Sequence, residues 1–191
     1  MSRIIGGEAG GRRIQTPGGT QTRPTTDRVR EALFSALEAR LGSLRGLRFL
    51  DLYAGSGAVG LEALSRGAGV LTAVESDRRT ARLAQQNART LGPELGRRAE
   101  VLAQPVGRVL ATPPRAPYDV VFADPPYALP EQELTAVLAD LVDNHWTGPG
   151  TVLVLERSSR SPEPAWPGRL TGVKQRNYGE TTLWYVQQDL A

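Results

Sequence analysis

Short continuous apolar runs alternate along the chain with longer stretches in which apolar residues recur every three to four positions. The runs are Leu47 with Phe49, Leu50 and Leu52, then residues 70–75, 100–103, 118–123 and 151–156. Runs of this kind suit strands buried on both faces, as in a parallel sheet covered by helices. Val29, Leu33, Phe34, Leu37 and Leu41 fall at helical spacing behind Thr and Asp caps, and residues 58–66, 77–91 and 131–144 read as further helices. Gly92-Pro93 stops the third of these four helices. A Pro-rich connection over residues 161–168 leads to two last strands, near 170–175 and 181–186, predicted to close as a hairpin through Asn177-Tyr178-Gly179. Residues 1–22 carry β-capable pieces broken by glycines, which suit a small hairpin or a mobile arm. Residues 23–191 form the expected single α/β domain.

The first run ends in Asp51-Leu52-Tyr53-Ala54-Gly55-Ser56-Gly57-Ala58-Val59-Gly60, a strand running into glycines and then into a helix. Such a turn lets a ligand sit against the main chain and the helix N-terminus. In open parallel sheets ligands bind at the carboxyl ends of the strands, so this is the expected cofactor site. Gly55-x-Gly57-x-x-Gly60, with Glu75 ending the next run, formally fits a dinucleotide fingerprint and with it an NAD-dependent oxidoreductase. Asp51 favours S-adenosylmethionine instead: a carboxylate at the strand end can accept from an amino-acid ammonium group, which NAD lacks. Glu75 would then take the ribose hydroxyls, while Gln104-Pro105-Val106, after the third run, would meet the adenine edge. The candidate cofactor residues are Asp51, Tyr53, Gly55, Ser56, Gly57, Gly60, Glu75, Ser76, Gln104, Pro105 and Val106. Taken singly, Asp51 is as readily a helix cap and Glu75 an ordinary strand-end acid.

A second chemical centre follows the run 118–123. Asp124-Pro125-Pro126-Tyr127 is delivered to the same sheet edge, and these four are the candidate catalytic residues. Two prolines stiffen the turn, so the Asp124 carboxylate and the Pro125 carbonyl can present acceptors to one exocyclic amine. Tyr127 offers a stacking face for a base. Catalysis would then rest on alignment, with Asp124 as acceptor. No metal is expected in that scheme.

Composition narrows the setting. There is no cysteine and one histidine, His145, which leaves no thiolate site, no cysteine nucleophile and no multi-histidine metal centre. No apolar run approaches membrane-spanning length, and a cytoplasmic location is expected. Formal charge is +3, yet residues 1–48 hold nine arginines against four acids, which leaves the remainder slightly acidic. This asymmetry suggests a segment facing nucleic acid, with Arg3, Arg12, Arg13, Arg23, Thr25, Arg28 and Arg30 as candidate RNA contacts. A single lysine, Lys174, shows that the arginine preference is global, and Arg28 and Arg30 also fit a solvated helix face.

The chain resembles the bacterial 16S ribosomal RNA guanine-N2 methyltransferase family (the guanine-966 enzyme) nearly end to end. The resemblance is carried by Gly6-Gly7, Gly11-Arg12, Arg23-Pro24-Thr25, residues 28–35, residues 49–57, residues 60–67, Asp124-Pro125-Pro126-Tyr127 and Tyr178-Gly179. It implies a Rossmann-like, S-adenosylmethionine-dependent methyltransferase fold. Its sheet would have seven mostly parallel strands with the last antiparallel, helices on both faces and an N-terminal hairpin for RNA. It further implies action on 16S rRNA in the 30S subunit or an assembly intermediate; a monomer is expected, with ribosomal proteins as candidate partners. Tyr53 stands where phenylalanine is common, and Gln104 where an acid is expected. Adenine-N6 methylation of RNA or DNA and a non-catalytic ribosome-assembly binder are the alternatives, since the tetrapeptide serves either amine.

Overall fold

The computed structural model describes residues 2–18 and 26–191. Strands β1 (Ser2–Arg3) and β2 (Arg13–Ile14) pair antiparallel as a small hairpin. Helix α1 (Asp27–Leu41) follows, its N-cap Thr26 accepting from the Val29 amide. The chain then alternates: β3 (Arg48–Leu52), α2 (Ala58–Ser65), β4 (Val70–Val74), α3 (Arg78–Thr90), α4 (Pro93–Gly96), β5 (Ala99–Leu102), α5 (Val106–Leu110), β6 (Tyr118–Ala123), α6 (Glu131–Asp143) and β7 (Thr147–Ser158). Two long strands, β8 (Leu170–Tyr178) and β9 (Thr181–Gln188), complete it.

Seven strands form one sheet in the order β5-β4-β3-β6-β7-β9-β8. The strands from β5 to β7 pair in parallel, while β9 runs antiparallel to both of its neighbours. The fold is thus the Rossmann-like methyltransferase sheet with helices on both faces and an N-terminal hairpin. Each strand divides its residues between two cores. Phe49, Val120, Phe122, Val152 and Val154 join the core under the hairpin and α1–α3. Leu50, Val121, Leu153 and Leu155 join the core under α5 and α6. Burial on both faces is why these strands read as continuous apolar runs.

Sequence and structure differ mostly at element ends. Pro93 does not only stop α3: it opens the short α4 from its first position, where its missing N–H costs nothing. The β8–β9 hairpin turns at Gly179-Glu180, because Asn177 and Tyr178 are still paired with Thr182 and Thr181. β7 is twice the length of the run that predicted it, since β6 and β9 pair along it beyond its apolar centre.

The N-terminal hairpin is docked. Ile4, Ala9 and Ile14 are buried in the first core. The Ile5 and Gly6 amides donate to the Glu62 carboxylate of α2 at 2.8 and 2.9 Å, and the Ala9 amide donates to Ser65 Oγ at 2.9 Å. The boundary expected at residue 22 lies outside the described residues, as do Arg23 and Thr25.

Candidate active site at the carboxyl ends of the strands

The chain leaves β3 to one side for β4 and returns on the other side as β6, so the carboxyl ends of β3 and β6 flank the topological switch of the sheet. Both candidate centres lie there. Leu52 pairs with Val74 and with Ala123, which places Glu75, Tyr53 and Asp124 side by side just beyond the three strand ends. The Asp124 amide donates back to the Leu52 carbonyl at 3.3 Å.

The glycine turn fits an extended polar ligand. Gly55 and Gly57 take φ of +57° and +84°, conformations that a side chain would strain. A Cβ on Gly55 would meet nothing within 4 Å, so the turn faces open space there. Glu75 spans the turn: Oε1 accepts from the Gly55 amide at 2.9 Å and Oε2 from the Asp77 amide at 2.8 Å. Each oxygen keeps lone-pair capacity for a ligand hydroxyl. Ser76, Gln104 and Pro105 are exposed on the same rim, and Val106 is buried as the first residue of α5. From below, the Asn87 amide group donates to the Ser56 carbonyl at 2.9 Å and exchanges two bonds with the Gln15 backbone. The hairpin segment and the glycine turn therefore share one anchor.

Asp51 sits behind the turn, 1% exposed, and its Oδ2 accepts from the Gly60 amide at 3.0 Å. Burial, with a smaller push from Glu75, raises its pKa to about 8 against the lowering effect of the Gly60 bond. An arriving ammonium group would supply the charge its ionised form lacks. Gly60 itself needs correcting as a cofactor contact. It is buried in α2, where a Cβ would come within 2.5 Å of Leu71 Cδ1, so its part is close helix-to-strand packing.

Tyr53 takes φ of +58°, in the left-handed region that few non-glycine residues occupy. Strand alternation would put its ring with Phe49 and Asp51, but the turn throws it onto the opposite core. There burial and the nearby Glu133 charge raise its hydroxyl to about 12, with Arg157 opposing.

At the second centre Pro125 is buried, whereas Tyr127 is 51% exposed and free to present its face. Burial raises Asp124 well above the usual carboxylate range. The charges of Glu156 and Asp51 and a hydrogen bond with Glu156 push the same way, and Arg157 opposes. Glu156 and Arg157 escaped the sequence reading. Yet they end the buried run 151–155, and the same strand-end logic that picked out Asp51, Glu75 and Asp124 would have found them. Arg157, 2% exposed, donates to the Pro126 carbonyl at 3.4 Å and to Glu131 Oε1 at 3.0 Å, tying the tetrapeptide to α6.

The basic residues separate into two groups. Arg3, Arg13 and Arg28 are exposed at the hairpin and the start of α1, and Arg3 and Arg13 line a shallow cleft with Ser2 and Asp27. Arg12 is also exposed but donates to the Thr90 carbonyl at the end of α3. Arg30 is a correction: it is fully buried, donates to the Arg3 carbonyl and pairs with Asp27 and Glu62. Its charge is committed to joining hairpin, α1 and α2, and no RNA can reach it. Among the described residues, no helix is long and apolar enough to cross a membrane.

Comparison with known proteins agrees with this architecture. The family model described as conserved hypothetical protein 95 matches residues 2–187. Ribosomal RNA small subunit methyltransferase D of Escherichia coli K12 is 34% identical over 187 residues, covering 98% of this chain and 90% of its own. Its namesake in Haemophilus influenzae is 36% identical over 180 residues, covering 93% and 89%. The solved structure of Escherichia coli yhhF superposes with a TM-score of 0.84 at 31% identity, covering 98% of each chain. A glycine turn and an Asp-Pro-Pro-Tyr corner meet at one sheet edge in a chain matched almost end to end, and it belongs to the conserved hypothetical protein 95 family, that of ribosomal RNA small subunit methyltransferase D.

Proposed function

We propose that this protein transfers a methyl group from S-adenosylmethionine to the exocyclic N2 of one guanine, corresponding to guanine 966, in 16S rRNA of the small ribosomal subunit. The observation that carries the reading is the adjacency of Asp124 to the glycine turn across the β3–β6 switch, in a chain 34% identical to an rRNA small subunit methyltransferase. The donor supplies an electrophilic methyl on a sulfonium. Glu75 and the Gly55–Gly57 backbone suit its ribose and amino-acid portions, Asp51 its ammonium group, and the rim at Ser76, Gln104 and Pro105 its adenine.

The amine of a nucleobase is a weak nucleophile because its lone pair is delocalised into the ring. Asp124 and the Pro125 carbonyl hold its hydrogens and favour localisation of that pair as the new bond develops. Exposed Tyr127 stacks on the base once it is turned out of its helix. Most of the rate enhancement then comes from alignment in a fixed corner. Arg3, Arg13 and Arg28 grip the phosphate backbone, so affinity for RNA falls steeply with salt. The protein acts in the cytoplasm as a monomer on the 30S particle or its precursor.

The test is to incubate the protein with labelled S-adenosylmethionine and undermethylated 30S particles and to map the label. Label on N2 of a single 16S guanine is the expected result. Label on adenine N6 would move the activity to the other amine. No incorporation into any base would end the methyl-transfer reading. Thermal protection by reduced nicotinamide rather than by S-adenosylhomocysteine would point to an oxidoreductase.

A further inference from the structure

Glu156 stands beside Asp124. Ala123 of β6 pairs with Leu155 of β7, so the two acids are the next residues on adjacent parallel strands, whose axes lie about 4.8 Å apart. Phe122 and Val154 both face the first core. Alternation therefore puts the Asp124 and Glu156 side chains on that same face, along with Asp51. Glu156 is only 5% exposed, and its proximity weakens the acidity of Asp124. Two ionised carboxylates set side by side and poorly hydrated repel each other, and a single shared proton relieves that repulsion.

We propose that Asp124 and Glu156 work as one carboxyl pair holding a single proton, with Glu156 a positioning residue that acts through Asp124. The proposal rests on the methyl-transfer reading above and deepens it. As the amine lone pair bonds to the methyl carbon, the carbon–sulfur bond breaks and its electrons stay on sulfur. The nitrogen then gives one hydrogen to the free oxygen of Asp124, while the shared proton passes to Glu156. Both carboxyls finish neutral. One negative charge on the pair and one positive charge on the sulfonium disappear together, so the carboxyl pair ends without a net charge. A doubly ionised pair would keep one.

The surroundings hold the pair at this stage. Asp51, on the same face, favours retention of the proton when it is itself ionised. Arg157 opposes it from the other face of β7, where it is already engaged by Glu131 and Pro126. Glu75 lies two strands away beyond Tyr53. On the far side, Leu183 of β9 pairs with Glu156 and with Arg176 of β8, which is exposed. From the helices, Arg30 and Glu62 are consumed by one another.

The test uses full-length protein labelled with carbon-13 at the Asp and Glu carboxyls, compared with Glu156→Gln and Glu156→Asp. Wild-type protein should show two linked titrations, with the upper one well above the ordinary carboxylate range. Glu156→Gln should leave a single titration for Asp124 between them. Its kcat on undermethylated 30S particles should fall at least about 10-fold, with S-adenosylhomocysteine Kd and RNA KM within about 2-fold of wild type. Glu156→Asp should restore the second titration and part of the rate. An Asp124 titration unchanged by Glu156→Gln overturns the pair, even if the protein methylates normally. Linked titrations in a protein that methylates no particle uphold the pair and sink the methyl-transfer reading instead.

Discussion

Asp51 caps a helix to which it does not belong. Helix α2 begins after Gly57, which has no side chain to cap it, and Asp51 reaches from the end of β3 to accept the Gly60 amide at 3.0 Å. The carboxylate that sequence assigns to a ligand ammonium thus also holds the helix whose N-terminus forms the glycine turn. The two roles cooperate, because an ionised Asp51 is both a stronger cap and a better ammonium acceptor.

Binding should therefore release a proton. With a pKa near 8, Asp51 is largely protonated at pH 7 in the free protein, and an ammonium ligand favours its ionised form. Calorimetry of S-adenosylhomocysteine binding at pH 7, repeated in buffers of different ionisation enthalpy, should report release of a sizeable fraction of one proton. Asp51→Asn should abolish the release and weaken binding by about 10-fold or more, the scale of one lost charge-assisted bond. Buffer-independent binding heats would remove Asp51 from the ammonium contact.

Stability of the ligand-free protein should fall as the solution becomes more alkaline. The folded protein keeps the Asp51 proton up to about pH 8, whereas the unfolded chain loses it near the ordinary value of 3.8. Between those values the folded state binds more protons, so unfolding free energy declines with rising pH. Asp124, raised for similar reasons, adds in the same direction. Urea unfolding from pH 4.5 to 8.5 should show the decline, and Asp51→Asn should flatten part of it.

The sheet was legible because every central strand is buried on both faces and so is written as an unbroken apolar run. That Asp51, Glu75 and Asp124 would gather at one edge of the sheet was legible because each ends an apolar run or directly follows one. What escaped depends on contacts distant in sequence. Arg30 looks like any exposed arginine of a first helical turn until Glu62, 32 positions on, arrives beside it. The reversal of Tyr53 comes from one backbone angle that no composition or spacing encodes. The hairpin itself was expected, but its docking was not, because its amides find partners on α2 that the local sequence cannot announce.

Gly60→Ala sets two effects against each other. Alanine improves helix propensity by about 1 kcal/mol. The new methyl, however, would lie 2.5 Å from Leu71 Cδ1 and 3.1 Å from Asp51 Oδ2. Leu71 is 1% exposed and has nowhere to retreat. Overpacking of this kind costs about 1–3 kcal/mol, so net destabilisation is expected in urea unfolding, with weaker S-adenosylhomocysteine binding as the turn shifts. A stabilised variant with normal binding would contradict the close-packing role.

Glu62 should be the residue on which docking of the hairpin most depends. Its carboxylate, fully buried, accepts from the Ile5 and Gly6 amides and pairs with Arg30 at 3.4 Å and Arg66 at 2.9 Å. Glu62→Ala leaves Arg30 buried and undercompensated and two amides unpaired, a loss of about 3–5 kcal/mol. Hydrogen exchange at Ile5 and Gly6 should accelerate well beyond the change in the sheet. Uniform acceleration across the chain would mean that hairpin and body unfold as one unit.

Arg157→Ala should separate catalysis from cofactor binding. The guanidinium is the link between the Pro126 carbonyl and Glu131, and it lies on the α6 side of the sheet, away from the glycine turn. Its loss frees the tetrapeptide from α6 and removes a positive charge that opposes the Asp124 proton. The Asp124 titration should therefore move upward. A corner that is both looser and harder to ionise should lower kcat by about 10-fold to 100-fold, since misplacement by about 1 Å can cost that much. The Kd for S-adenosylhomocysteine should hold within about 2-fold. If kcat survives while Asp124 titrates higher, positioning by Arg157 is dispensable and charge alone is what it supplies. If Kd and kcat fall together, Arg157 supports the whole sheet edge and not the corner.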